Sequence, residues 1–505
     1  MRTKNINYRL PFLTLLFPVL FAACSKQLNQ KPISAATSVT FYASAQDFLQ
    51  ATNAAYANLR TYPDREINLS ETRSDNLYAV SVGGVRDWEG INDFTNTISS
   101  NPYVEEAWST DFNGIFKINT LIDQLHTNGS VIGNTSLESR FEGEAKFLRA
   151  FYYFDLVRTF GKVPLVDHPV TASEALNIPR NPVSDIYQLI ISDLQFAAAN
   201  LPVSYTGTDI GRATKYAAEG ILALVYMTRS APDYGIEGPG LGSNEWGLAL
   251  PLLNDIISSP KYSFLPSYNS IFSYTNENNP EVIFDVQFTT GLTPVLGTDF
   301  IGLLVPDGYF QSLGVVVNGT SNLRPVSNNL LSSYEAGDTR RNFSIHDGYV
   351  FNGDAETRSF FVKYLDITRI PKNQLDWPIN FIVLRYTDVL LLKAECVLHG
   401  APGSQTADVD AVVNKVRVRG GLVTPLANVT LPQLFEERRK EFASEGSRWH
   451  DLVRSGNIGS IMTAWIAADD VQHKIQPFQN NFIIYPVPQS QLDVKPGLYT
   501  QNKGY

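Results

Sequence analysis

Between Val104 and Leu125 the apolar residues Val104, Trp108, Phe112, Ile115, Ile118, Ile122 and Leu125 recur at spacings of three and four, the period of a helix with one buried face. A loop carrying Asn128-Gly129 and Gly133-Asn134 interrupts the pattern. It resumes at Leu137, Phe141, Ala145, Leu148, Tyr152 and Leu156 and closes at Gly161. Each stripe can leave water only by packing on the other, so the pair predicts an antiparallel helical hairpin. A chain that starts this way builds its core helix against helix.

The rest of the sequence extends that rule. Periodicity predicts further helices over Val183–Asn200, Thr214–Arg229, Trp246–Ser258, Arg385–His399, Ala407–Arg419 and Leu431–Ser444. Ala145-x-x-Leu148-x-Ala150-x-x-Tyr153 is echoed by Ala218-x-x-Ile221-x-Ala223-x-x-Tyr226. Small residues let helix axes approach and large ones fill the neighbouring groove, as in tetratricopeptide-like repeats. Ordinary helix packing without a true repeat would give the same spacing. The predicted class is mainly α, an α-α superhelix of such repeats. Two stretches break the helical rule. Residues 61–103 are polar and dotted with aromatics, and 260–380 alternates short β-like runs (Glu281–Phe288, Gly314–Val317, Phe360–Tyr364) with turns. Loops this long in a compact protein tend to be functional, so the binding face is expected there.

The first residues stand apart. Arg2, Lys4 and Arg9 precede an apolar run from Leu10 to Ala23 that is too short to span a bilayer and fits a signal peptide over 1–23. It ends Leu20-Phe21-Ala22-Ala23-Cys24, which resembles the lipobox of bacterial lipoproteins, with Phe21 larger than the usual residue. The expectation is an acylated (palmitate-bearing) Cys24 and a polar tether over 24–40. With only Cys24 and Cys396 the chain has little use for disulfides. The net charge is -10 and no Lys/Arg run occurs, which excludes the basic stripe that a nucleic-acid partner requires.

The C-terminal third is the most specific part. Leu434-Phe-Glu-Glu-Arg-Arg-Lys-Glu-Phe-Ala-Ser-Glu-Gly-Ser-Arg-Trp-His-Asp-Leu-Val-Arg454, the Leu384–Glu395 segment before it, Tyr485-Pro-Val-Pro488 and the closing Tyr499–Tyr505 follow one another in order. Together with Ala145–Leu165 they resemble the SusD/RagB family of outer-membrane lipoproteins over nearly the whole chain. The resemblance implies a SusD-like N-terminal region over 41–259 with binding loops and a C-terminal region over 260–505. It also implies a surface-facing, lipid-anchored protein of the outer membrane that binds oligosaccharide and serves a SusC-like TonB-dependent transporter. Some relatives serve peptide uptake, so a peptide ligand stays open. Residues 25–30 lack the acidic cluster that displayed lipoproteins often carry.

A sugar presents C–H faces between hydroxyls, so its site wants an aromatic platform beside amides, carboxylates or guanidinium groups. Arg73, Asp75, Asn76 and Tyr78, then Trp88 and Asn92 after the Gly83-Gly84 turn, offer that mixture in one segment. Known contacts in the family lie in roughly this region, which implies Trp88 and Asn92 first. Tyr309 is a second candidate ring. Glu437, Glu441 and Glu445 fall at helical spacing, Arg448 returns to nearly that face, and Asp451 follows. That spacing predicts an ion-pair clasp rather than acid–base chemistry. Gly-x-Ser-x-Gly, His-Glu-x-x-His, Walker and Cys-x-x-Cys motifs are absent, and the six histidines show no ligand spacing. The expectation is therefore no catalysis, no metal and no cofactor. Two facing carboxylates would suffice for a hydrolase, and the sequence leaves that alternative standing.

Overall fold

A computed structural model describes residues 41–79, 86–317, 323–403 and 405–505. The signal peptide, Cys24, the tether to residue 40 and the Gly83-Gly84 turn lie outside the described residues. Helix accounts for 53% against 7% strand, so the class is mainly α.

The predicted hairpin forms from Pro102–Asn128 and Thr135–Phe160. Local chemistry sets its limits. Asn101 accepts a hydrogen bond from the Tyr103 amide and Pro102 opens the first helix, while Asn134 accepts from the Leu137 amide to open the second. Gly161, at φ +70°, ends it where the Glu237 carbonyl leaves no room for a Cβ. Val183–Asn200, Lys215–Ser230, Trp246–Ser258, Tyr386–Leu398, Ala407–Arg419 and Leu431–Phe442 follow, each packed on the one before it. The result is the expected helical array of tetratricopeptide-like pairs. Ala145, Ala150, Ala218 and Ala223 are fully buried between neighbours. Gly114 lies directly against the Tyr152 ring.

The array is interrupted once, between Trp246–Ser258 and Tyr386–Leu398. The insertion is closed at its base by an antiparallel pair, Val282–Val286 with Phe381–Arg385, and carries a hairpin of Ile345–Phe351 and Asp354–Phe361. Two of the three β-like runs thus reach strands, in part for Phe360–Tyr364. Gly314–Val317 does not: it leaves the short helix Asp307–Ser312 as irregular chain, with no strand to pair its backbone.

The larger correction concerns residues 61–79. Helical backbone runs on from Ala45–Tyr56 through Ala57–Thr61 and Tyr62–Arg65, then widens to a π-helical turn over Glu66–Glu71. All six residues of that turn are buried. Polar side chains hide here because each finds a partner: Asn68 accepts from Arg324, Glu71 accepts from Asn76 and from the Ser444 and Gly446 amides. No loop-like face remains.

Candidate functional site

Most residues expected to touch a ligand are interior. The Arg73 guanidinium is caged by the rings of Tyr485 and Phe94, 4.3 and 4.8 Å from their centroids, and donates to the Ile91 and Phe482 carbonyls. Asp75 is fully buried between Arg448 and Arg439. Burial would raise its pKa, but the two guanidinium groups outweigh it and hold it at about 2. Asn76 donates to Glu71 and accepts from Arg439. Asn92 spends its amide on the Thr72 and Leu77 carbonyls and the Ala79 N–H. Tyr309 packs among His346, Phe360 and Tyr349. These five side chains hold the loops in place and turn no ligand-sized face outward.

The segment Glu437–Asp451 also differs from its expected pairing. The helix stops at Phe442, and Ser444 and Gly446 turn the chain at φ +66° and +78°. Arg448 therefore leaves the stripe of glutamates and pairs with Asp75. The glutamates are met by cations from other segments. Glu437 meets Arg340 at 2.6 Å; Glu441 meets Arg340, Arg385 and Arg419; Glu445 meets Arg385 and Lys363, both at 2.9 Å. Asp451 joins Arg438 and Arg454. With so many cations near it, Glu441 stays ionised despite complete burial, far below the usual range.

Around Trp88 the arrangement is different. Its helix, Asp87–Asn92, opens with Glu89 accepting from the Arg86 amide. The Arg324 guanidinium lies 4.9 Å over the indole, and its Nη1 donates to Asn68 and Thr72 at 2.7 and 2.9 Å. The Arg324 guanidinium also meets the Tyr103 hydroxyl. Among the described residues, Nε1 of Trp88 is a buried donor without a hydrogen-bond acceptor, which is rare in folded proteins. Burial lowers the Arg324 pKa to about 10, opposed by Tyr103 and Asp64. Trp88 is only 7% exposed, so the stack is a floor. The half-buried Tyr103 ring stands beside it, tied in by Asn101, which also donates to the Asp87 carbonyl.

Carboxylates form the rim. Burial and then the neighbouring Asp299 push Asp64 well above the ordinary range, with Glu106 nearby. On the other flank the half-buried Tyr78 donates to Asp470 at 2.9 Å and accepts from the Gln472 amide. Burial, then Glu89, raises Asp93 to about 7, with Lys474 opposing. The site thus offers one open ring (Tyr103), a second at its margin (Tyr78), and mixed donors and acceptors. Of these, Arg324, Tyr103, Asp64 and Asp299 were not singled out by sequence; Arg324 lies 236 positions from Trp88, and no local spacing could link them.

Among the described residues no group of three or more His, Cys, Asp or Glu is placed to hold a metal ion, and no helix is long and apolar enough to cross a membrane. The family model described as starch-binding and associating with the outer membrane matches residues 27–227, and the one described as the SusD family matches residues 350–505. The chain belongs to the SusD family. It is 29% identical over 469 residues to a SusD-like protein of Bacteroides ovatus, covering 86% of this chain and 80% of that one. Surface glycan-binding protein A of Bacteroides fluxus superposes with a TM-score of 0.78 at 25% identity, over 92% of this chain and 100% of its own. A laminarin-binding SusD-like protein superposes at 0.74 and 25%, with the same coverage. The SusD family is a glycan-binding, non-catalytic family.

Proposed function

We propose that this SusD-family protein is a lipoprotein of the outer membrane, anchored through Cys24 and facing the exterior, that binds oligosaccharide above the Trp88–Arg324 stack and passes it to a SusC-like TonB-dependent transporter. The observation that carries the ligand class is the buried Trp88 Nε1 donor, without an acceptor among the described residues, beside the half-buried Tyr103 ring. Sugar hydroxyls accept from such a donor while the ring covers a C–H face. Tyr78 extends the aromatic surface, and the laminarin-binding relative supports a glucan as the first ligand to try. The lipobox and the outer-membrane description of the matching family support the location.

A peptide is the second reading. The carboxylates Asp64, Asp299, Glu106 and Asp87 around one ring would suit a cationic peptide. Titration calorimetry with laminarin oligosaccharides, a wider glycan panel and a basic peptide library separates the two. Saccharide binding that weakens at least tenfold in Tyr103→Ala supports the glycan site. Failure of every saccharide, with a peptide bound, overturns it. Cys24→Ala should move the protein from the membrane to the soluble fraction.

A further inference from the structure

Two open hollows adjoin one another and form the halves of one groove, sharing Ile210, Gly211, Arg212 and Asp285 in their lining. Gly211 sits at φ +92°, and any side chain there would collide with Gln287, so glycine lets the Gln287 side chain seat at the junction of the halves. One half is lined by Tyr205, Tyr262, Lys261 and Asn278, the other by Asn53, Tyr56, Arg60 and Gln287.

Its chemistry matches what a sugar chain requires. Two part-exposed phenol rings, Tyr205 and Tyr262, supply stacking surface. Asp285 forms the floor of both halves, held by Asn380 at 3.0 Å and by Gln287, whose amide also donates to Asn278 at 2.9 Å. Arg212 is saturated by Glu144, Asp209 and Asn53 and acts as a wall post. Among the described residues, the buried Tyr205 hydroxyl and Arg60 Nε find no partner. They resemble the Trp88 Nε1 donor in this.

The groove also leads toward the first site. Arg60 lines it and donates to the Val295 carbonyl at 2.9 Å. Asp64, one helical turn further on, interacts with Asp299, which lies four residues beyond Val295. One helical segment and one loop thus run from the groove to the rim of the Trp88 site.

We infer that the groove is a second carbohydrate subsite continuous with the first, so that the protein takes an extended neutral glycan across both. This rests on the glycan reading above. A neutral chain is favoured over an acidic one because the track carries Asp285, Asp64 and Asp299, while Arg212 is already committed to carboxylates and Arg60 donates to the Val295 and Gly297 carbonyls.

The test uses the full chain with laminaribiose and laminarihexaose as probes. Tyr205→Ala combined with Tyr262→Ala should weaken hexaose binding at least tenfold, leave biose binding at the first site within twofold, and preserve the circular dichroism spectrum. Independently of any variant, saturating hexaose should slow acetylation of Lys261 in the wild-type protein several-fold, whereas biose should not. Equal affinity for the two sugars, with Lys261 unprotected, overturns the inference and leaves the glycan reading intact. Hexaose binding that survives Tyr103→Ala but is lost in the groove variant sinks the first site and keeps the groove. No binding of either sugar removes both.

Discussion

The guanidinium of Arg448 meets the carboxylate of Asp75 side-on, Nε and Nη2 lying 2.7 and 2.8 Å from its two oxygens across 373 residues of chain. Both side chains are at most 5% exposed. The pair joins the start of the helix Arg448–Arg454 to the turn after the π-helical segment, so it locks the C-terminal region to the N-terminal one. Removing Arg448 leaves Asp75 buried with Arg439 still beside it, and breaking a buried pair costs about 3–5 kcal/mol. Arg448→Ala should therefore lower the unfolding free energy by up to that amount. Asp255→Ala, which breaks an exposed pair with Lys215, should cost less than about 1 kcal/mol. Equal effects would show that the long-range pair carries no special weight.

The same network sets the behaviour in acid. Burial pushes Asp75 and Asp451 up, but Arg439 with Arg448, and Arg438 with Arg454, outweigh it and hold both near 2. A folded-state pKa below the unfolded value adds stability that is present above about pH 4 and is lost as pH falls toward 2. Each group contributes about 2 kcal/mol at neutral pH on this basis. Urea unfolding followed from pH 5 to 2.5 should show a steep loss, shallower in Asp75→Asn. A flat profile would contradict the buried pairing.

Asp285 acts in the opposite direction. Burial raises it to about 7 against hydrogen bonds from Gln287 and Asn380, and burial with Asp255 raises Glu219 likewise to about 7. A raised carboxyl adds stability below the unfolded pKa, and this is lost as pH rises from about 4 through 7. The protein should be more stable at pH 5 than at pH 8, and Asp285→Asn should narrow that difference while Glu219 keeps part of it. Equal slopes in variant and wild type would rule out the assignment.

The helical body was legible because its information is local. Stripes such as Val104–Leu125 repeat every turn, and caps such as Asn134 and Gly161 sit beside the ends they fix. Val183–Asn200 and Trp246–Ser258 were readable to the residue. The polar turns were misread because composition cannot show whether a polar side chain has a buried partner. Asn92 and Asp75 look like surface ligands until the Thr72 carbonyl and Arg448 are placed around them. The same blindness hid Arg324, whose role appears only once it stacks on Trp88. Glu441 was recognised as ion-paired, yet its cations come from three other segments rather than its own helix.

Close helix approach makes its own prediction. A Cβ on Gly114 would lie 2.6 Å from the Tyr152 ring, itself fixed by a hydrogen bond to the Ala55 carbonyl. The ring has nowhere to go, so Gly114→Ala should force the first two long helices apart and cost about 1–3 kcal/mol, despite alanine's better helix propensity. Gly302→Ala, in a short helix where no described atom lies within 4 Å of the Cβ position, should cost less. Thermal unfolding of both variants decides the point.

Asn92 and Tyr103 separate support from contact at the proposed glycan face. Asn92 is fully buried and satisfies three backbone groups, at Thr72, Leu77 and Ala79. Replacing it with alanine leaves those groups in a dry interior and should cost about 1–3 kcal/mol of stability. Its amide reaches no open surface, so glycan affinity measured well below the melting transition should change less than twofold. Tyr103 is half-buried at the margin of the core, its hydroxyl against Arg324. Tyr103→Ala should lower the unfolding free energy by less than Asn92→Ala does, but should reduce glycan affinity at least tenfold, about 1.4 kcal/mol. The two variants should therefore exchange places between the stability and binding measurements. If Asn92→Ala abolishes binding at full stability, the amide contacts the sugar after all and the face must open further than this structure places it.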